Sequence, residues 1–250
     1  TWTERILSLA VVLVEPAGPL NVGSVARLCA NFGVHDLRLV SPQCDPIGPE
    51  AQRMAVHGQQ VLRRARRFTT LLEALSDCQR VVASCGRIDQ GDIPLLPPEQ
   101  AMPWVLQGLE SDARVALVFG REDRGLSNEE LLMSQRVVRL HSREDYPSLN
   151  LSHAVAVLLH ELERIRQLPS APSPPAQQEV EAAEPPQLDA CLRDAEDLLL
   201  EAGFLLQHTA RARMAKVKRL LQRALVRPEE LALLHGMVRQ LRWAIRRHRP

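Results

Sequence analysis

Three short stretches carry residues whose types and spacing could do chemistry. The first is Pro19-Leu-Asn-Val-Gly-Ser-Val-Ala-Arg27, running on to Asn31-Phe-Gly33. Asn21 and Gly23 would open a helix, and a helix N-terminus offers free N–H groups to an anion. Arg27, one turn beyond Gly23, adds a bidentate phosphate donor. The same residues also read as an N-cap and a solvated side chain. The second stretch is Val118-Phe-Gly120-Arg-Glu122-Asp-Arg-Gly125-Leu-Ser-Asn128. Gly120 ends a strand, where backbone can approach a ligand closely. Glu122 and Asp123 would hang above the sheet, and Ser127 or Asn128 would cap a helix carrying Glu129 and Glu130. The third is Tyr146-Pro-Ser148-Leu-Asn150-Leu-Ser152-His153, which holds the single tyrosine of the chain. Ser148 and Asn150 point the same way if the segment is extended, so they could hold a ligand or cap the helix that follows. His153 reads as a helix-surface or packed residue.

Each stretch follows an apolar run. Ala10–Val14, Leu37–Val40, Val81–Ser84 and Val115–Phe119 are continuous enough to be strands buried on both faces. Val22, Val25, Ala26, Cys29 and Phe32 recur at helical spacing, as do Leu151, Ala154, Val155, Leu158, Leu159, Leu162 and Ile165. Strands alternating with helices imply an α/β body around a largely parallel sheet, with ligands at the carboxyl ends of the strands. Residues 169–187 contain six prolines and little apolar content, which predicts an extended linker. It separates a body, 1–168, from a helical extension, 188–250. Helices are expected over Leu188–Gln207 and Arg227–Arg247, with too little core to stand alone.

Composition narrows the classes. The chain has 250 residues, 45% hydrophobic and 24% charged, which suits a soluble globular protein. No apolar run reaches membrane-spanning length, and Ile6–Val14 lacks the flanks of a signal peptide. Five irregularly spaced cysteines without C-x-x-C argue against a zinc site or disulfide framework and fit a reducing cytoplasm. No G-x-G-x-x-G follows a strand, and P-loop, G-x-S-x-G and H-E-x-x-H motifs are absent. The net charge of +1 hides an asymmetry: residues 205–250 hold 12 Lys and Arg against Glu229 and Glu230, a net of +10. A basic block on an acidic body points to a polyanion partner or to a solvated helix face.

Taken in order, the three stretches resemble the motifs of the SpoU/TrmH family of SPOUT RNA methyltransferases. They supply an Asn, Gly and Arg first, then Phe-Gly-x-Glu with a Gly soon after, then Ser-Leu-Asn entering a helix. The likeness covers about residues 8–167. Gly-Ser-Val-Ala-Arg, Gly-Leu-Ser-Asn-Glu-Glu and Ser-Leu-Asn-Leu, with a helical extension, are most similar to the TrmJ subgroup. The resemblance implies a trefoil-knotted α/β body, bent S-adenosylmethionine as cofactor, a homodimer and ribose 2′-O-methylation of RNA. For the subgroup it implies tRNA and anticodon-loop position 32. Methylation of ribosomal RNA or of another tRNA position, or a non-catalytic RNA-binding role, remain the alternatives.

The resemblance implies that Arg27, by its motif position, is the catalytic arginine. A guanidinium is a poor base, so Arg27 is expected to clamp phosphate and ribose. Asn21, Glu122, Ser148 and Asn150 would shape the site. The cofactor is expected among Ser84, Cys85, Gly86, Gly120, Leu140, Pro147, Ser148 and Leu149, with Cys85 as a lining residue. No metal is expected.

Overall fold

A computed structural model describes residues 2–86, 93–140, 142, 148–168, 182–224 and 226–247. Tyr146 and Pro147 lie outside the described residues, as does most of the expected linker. The chain divides into two compact units, Thr1–Pro175 and Ala176–Pro250.

The first unit opens with a helical turn, α1 (Trp2–Arg5), and continues through β1 (Leu9–Val14), α2 (Pro19–Asn31) and β2 (Asp36–Val40). Then come α3 (Pro49–Ala55), α4 (Gln59–Arg64), β3 (Arg66–Phe68), α5 (Leu71–Ala74), β4 (Arg80–Ser84) and β5 (Leu95–Leu96). It closes with α6 (Pro98–Glu110), β6 (Val115–Phe119), α7 (Asn128–Leu131), β7 (Arg136–Val138) and α8 (Leu151–Gln167). Seven strands form one sheet in the order β3-β2-β1-β6-β4-β7-β5, and every pairing is parallel.

Helices cover both faces, which is why the central strands are apolar without alternation. Leu9, Val11 and Leu13 face α2, α6 and α8, while Ala10, Val12 and Val14 face α5 and α7. All six residues of β1 are buried. Each such aliphatic side chain contributes about 1.5–3 kcal/mol relative to exposure. The four expected strands are all present. The three additional ones are two or three residues long, and β3 opens on two arginines, so none carries an apolar run.

β4 lies between β6 and β7 in the sheet. The chain leaving β6 therefore passes the end of β4 before pairing on its far side. The return from β7 to α8 runs through residues 141–147, of which Ser142 alone is described.

The second unit consists of α9 (Pro185–Glu201), α10 (Gln207–Arg223) and α11 (Pro228–Arg247). Here the structure departs from expectation. α9 starts at Pro185, inside the segment read as linker, because proline is well suited to the first turn of a helix. The unit also has an apolar cluster of its own, built on Leu188, Cys191, Leu192, Leu205, Met214 and Leu231. Among the described residues no helix is long and apolar enough to cross a membrane.

Candidate functional site

The carboxyl ends of β4 and β6, Leu140 just beyond β7 and the start of α8 enclose a cavity of about 450 Å³. Ser84, Cys85 and Gly86 leave β4 into it, and the loop from Gly120 to Gly125 walls one side. Leu140, Ser148, Leu149, Leu151 and Ala154 close the other. Every cofactor-lining candidate within the described residues is thus gathered in one place. Cys85 is 4% exposed, and its backbone N–H donates to Val138 O at 2.8 Å, fixing the β4 end against β7.

Glycine at position 120, which lines the cavity, has a packing reason beside the expected close approach to a ligand. A Cβ there would lie 2.2 Å from the carbonyl carbon of Gly125 and 2.3 Å from Leu126 N. The loop folds back on its own stem through the Arg121–Gly125 bridge. A side chain at 120 therefore displaces the cavity wall before it meets any bound molecule.

A one-way hydrogen-bond relay runs along the rim. Glu122 accepts from Ala17 N at 2.9 Å, Gly18 N at 3.1 Å and Asn21 Nδ2 at 2.9 Å. Asn21 Oδ1 then accepts from Asn150 Nδ2 at 3.0 Å. Asn150 Oδ1 in turn accepts from the N–H of Ser152 at 2.9 Å and its hydroxyl at 2.8 Å. An ionised carboxylate only accepts, so Glu122 sets the orientation of both amides beyond it. Burial pushes the Glu122 pKa up, but the bonds from Ala17, Asn21 and Gly18 outweigh it and hold the carboxyl below its ordinary value. Glu122 is therefore a charged organiser, with its lone pairs already engaged.

For Asn150 a capping role leaves a further contact free, whereas for Asn21 the capping reading fails. Asn150 is the N-cap of α8 and, through its amide nitrogen, a partner of Asn21. Asn21 is not a cap: Gly18 holds that position with Pro19 next, leaving Asn21 in the first turn to face Glu122. Ser127 caps α7 in a reciprocal box with Glu130, which anchors the far end of the cavity loop. Ser148 is exposed at the cavity mouth, and His153 is exposed on α8.

Sequence reasoning missed Glu15. It follows β1 with φ of +48°, and its N–H donates to Val40 O. Its carboxylate accepts from Arg124 at 2.8 Å and lies 3.9 Å from Arg121, tying the cavity loop to the end of β1. A charged residue placed directly after a fully buried strand was the available signal.

Arg27 stands apart. It is exposed, and among the described residues no carboxylate pairs with it. Six residues separate it from Asn21, which on an α-helix is about 9 Å along the axis and about 120° around it. The fold brings Asn21, Glu122, Ser148 and Asn150 to one rim and leaves Arg27 of the same chain on another face of α2.

Comparison with known proteins is decisive at this point. The family model described as SpoU rRNA Methylase matches residues 8–160. The chain belongs to the SpoU rRNA Methylase family. A Pseudomonas aeruginosa protein named tRNA (cytidine/uridine/adenosine-2′-O-)-methyltransferase TrmJ is 34% identical over 238 residues, 92% of this chain and 92% of that protein. A Methanocaldococcus jannaschii tRNA (cytidine-2′-O-)-methyltransferase TrmJ is 41% identical over 162 residues, 63% of this chain and 68% of its own. The crystal structure of TrmJ from Z. mobilis ZM4 superposes with a TM-score of 0.78 at 28% identity, covering 93% of this chain and 98% of that one. The SpoU match spans β1 to α8, so it contains all three motif stretches and the whole cavity.

Proposed function

We propose that this chain transfers a methyl group from S-adenosylmethionine to the ribose 2′-hydroxyl of cytidine or uridine in tRNA. The site is position 32 of the anticodon loop, and the enzyme works in the cytoplasm as a homodimer. The observation that carries this reading is the likeness to the P. aeruginosa tRNA methyltransferase along 92% of both chains.

The cavity suits the methyl donor. Its volume lies in the ordinary range for small-molecule sites. Cys85, Phe119, Leu140 and Leu149 offer an apolar slot for a planar base, and Glu122 and Asp123 put negative charge near a sulfonium cation. When bound, S-adenosylmethionine supplies an electrophilic methyl group. Transfer to a hydroxyl demands in-line placement, so the work of the protein is positioning. Asn150 and Ser148 hold the mouth of the cavity, and Glu122 fixes Asn150 through Asn21. The Arg27 guanidinium holds the ribose and its phosphate.

Arg27 and the cavity lie on different faces of one chain, and a second copy supplies the missing arginine. A second concavity along α8, of about 630 Å³, shares Leu140 and Leu149 with the first and gives that copy a place to seat. Sedimentation is expected to give a particle of twice 28.0 kDa at micromolar concentration. Arg27→Ala is expected to abolish turnover while calorimetry still finds S-adenosylmethionine bound. Loss of both together would make Arg27 structural.

The family description names ribosomal RNA, which favours a second reading in which the same reaction acts on rRNA. Mapping 2′-O-methyl groups on total tRNA and rRNA from a strain lacking the gene separates the two. A missing methyl at tRNA position 32 supports the first; a missing rRNA methyl with intact tRNA replaces it by the second.

A further inference from the structure

We propose that the helical layer beside Arg27 is a phosphate track, in which Arg53, Arg64 and Arg67 carry the RNA backbone away from the site. The proposal rests on the reading of RNA as substrate and adds a surface on the body, separate from the basic second unit.

The observation is a contrast in how arginines are neutralised. Arg38, Arg66 and Arg114 share Asp36 and Asp77. Arg121 and Arg124 bond Asp123 and Glu15, and on α8 Arg164 and Arg166 bond Glu161 and Glu163. Arg27, Arg53, Arg64 and Arg67 are all exposed, and no carboxylate among the described residues pairs with any of them. Arg63, bonded to the Gln59 amide, extends the group. Residues 49–68 contain five arginines and one acid, Glu50.

Packing and register put these side chains on one layer. A Cβ at Gly23 would lie 2.2 Å from Ala51 O, and one at Gly58 would lie 2.5 Å from Ala26 O and 2.7 Å from Arg27 Cα. These contacts seat α3 and the turn after it along α2, from Gly23 down to Arg27. Arg67 pairs in register with Leu39, which is buried beneath α2 and α4, whereas Arg66 pairs with Arg38 and turns to Asp36 on the other face. Uncompensated guanidinium groups clustered around the catalytic arginine are what a polyphosphate chain recognises. A merely protective role, keeping the β3 edge from pairing with another sheet, would need Arg67 alone.

The test is the affinity of the full-length protein for an unmodified tRNA transcript, measured across salt concentrations. The wild type is compared with the triple variant R53Q/R64Q/R67Q. The variant is expected to bind about tenfold more weakly near physiological salt, and its log–log salt slope should be shallower by about 2. Its kcat at saturating tRNA, its S-adenosylmethionine binding and its sedimentation should match the wild type. An unchanged affinity and slope would overturn the track. So would a variant that sediments differently from the wild type, because the face would then serve a second copy of the chain. A wild type that binds the transcript but methylates no RNA would count against the activity alone, and the slope comparison would still decide the track.

Discussion

The two ends of the sheet use the same materials to opposite ends. At the amino ends of the strands, Arg38 is 1% exposed and is held by Asp36 and Asp77, with Arg66 and Arg114 completing the charge cluster. Burial works against the Arg38 charge, but the bonds from Asp77 and Asp36 outweigh it and raise its pKa. Burial likewise pushes Asp36 up, and Arg38 and Arg66 more than reverse it. Every charge in that network ends on another. At the carboxyl ends, Glu122 is also ionised and fully bonded, but its bonds lead outward through Asn21 and Asn150 to the mouth of a cavity. A closed network holds strands together; an open one presents polar atoms to something that arrives.

The largest effect should come from breaking the closed end. Arg38→Leu leaves Asp36 and Asp77 to the exposed arginines Arg66 and Arg114 and strips Ala74 O of its donor, and is expected to cost about 2–3 kcal/mol of stability in denaturant unfolding. The folded fraction should keep its turnover number, since nothing at the cavity touches Arg38. A stable Arg38→Leu protein, or one that is stable but inactive, would erase the distinction between the two ends.

Glu122→Gln should do the reverse. The carboxamide can keep its oxygen toward Gly18 and Asn21 only by turning its nitrogen against the Ala17 N–H, so the relay loses its fixed anchor. Stability is expected to fall by only about 1 kcal/mol. Displacing Asn150 from its place at the rim by about 1 Å is enough to slow methyl transfer by about a hundredfold. Single-turnover rates, with cofactor affinity measured beside them, check this. Asn150→Asp sharpens the point at smaller scale. It keeps the N-cap of α8 but loses the donor to Asn21, so stability should hold while turnover drops about tenfold, the worth of one hydrogen bond. Equal losses in stability and rate would mean that Asn150 serves the helix and not the site.

How much of this was legible in the sequence follows from which interactions are local. The buried strands announced themselves because helices on both faces demand unbroken apolar runs, as in Leu9–Val14. A cap at Ser127 or Asn128 was readable because capping is local, although the choice of Ser127 and its reciprocal box with Glu130 came from the structure. The rim residues Asn21, Glu122 and Asn150 could be named because their motifs are compact, although what joins them spans more than a hundred residues of chain. β7 was not legible, and the Glu15 anchor was legible only as a charge set directly after a buried strand. A three-residue strand has no periodicity, and Glu15 matters only through Arg121 and Arg124, placed beside it by the β1–β6 pairing. The contact that Gly120 makes with the backbone of Gly125 and Leu126 was not legible, because the loop reversal after β6 has no apolar pattern to reveal it.

The smallest expected effect concerns acid, and it tests the claim that both ends are held by ionised carboxylates. Glu122, Asp36 and Asp77 all have folded pKa values below their ordinary ones, for the hydrogen-bonding reasons given for Glu122 and Asp36 and, at Asp77, because Arg38 outweighs burial. In the acid range the unfolded chain therefore binds more protons than the folded one. The stability these groups contribute is present in full above the ordinary carboxylate range and is lost as pH falls through their lowered folded values. Glu122→Gln removes one of the three contributions and leaves the two at the far end of the sheet. The stability gap between wild type and Glu122→Gln should consequently be widest at neutral pH and narrow as the solution is acidified, while the variant retains the acid sensitivity that Asp36 and Asp77 confer. Denaturant unfolding at a series of pH values reads that gap directly. A gap independent of pH would mean that Glu122 stabilises the rim by shape alone, and its charge would no longer separate the open end of the sheet from the closed one.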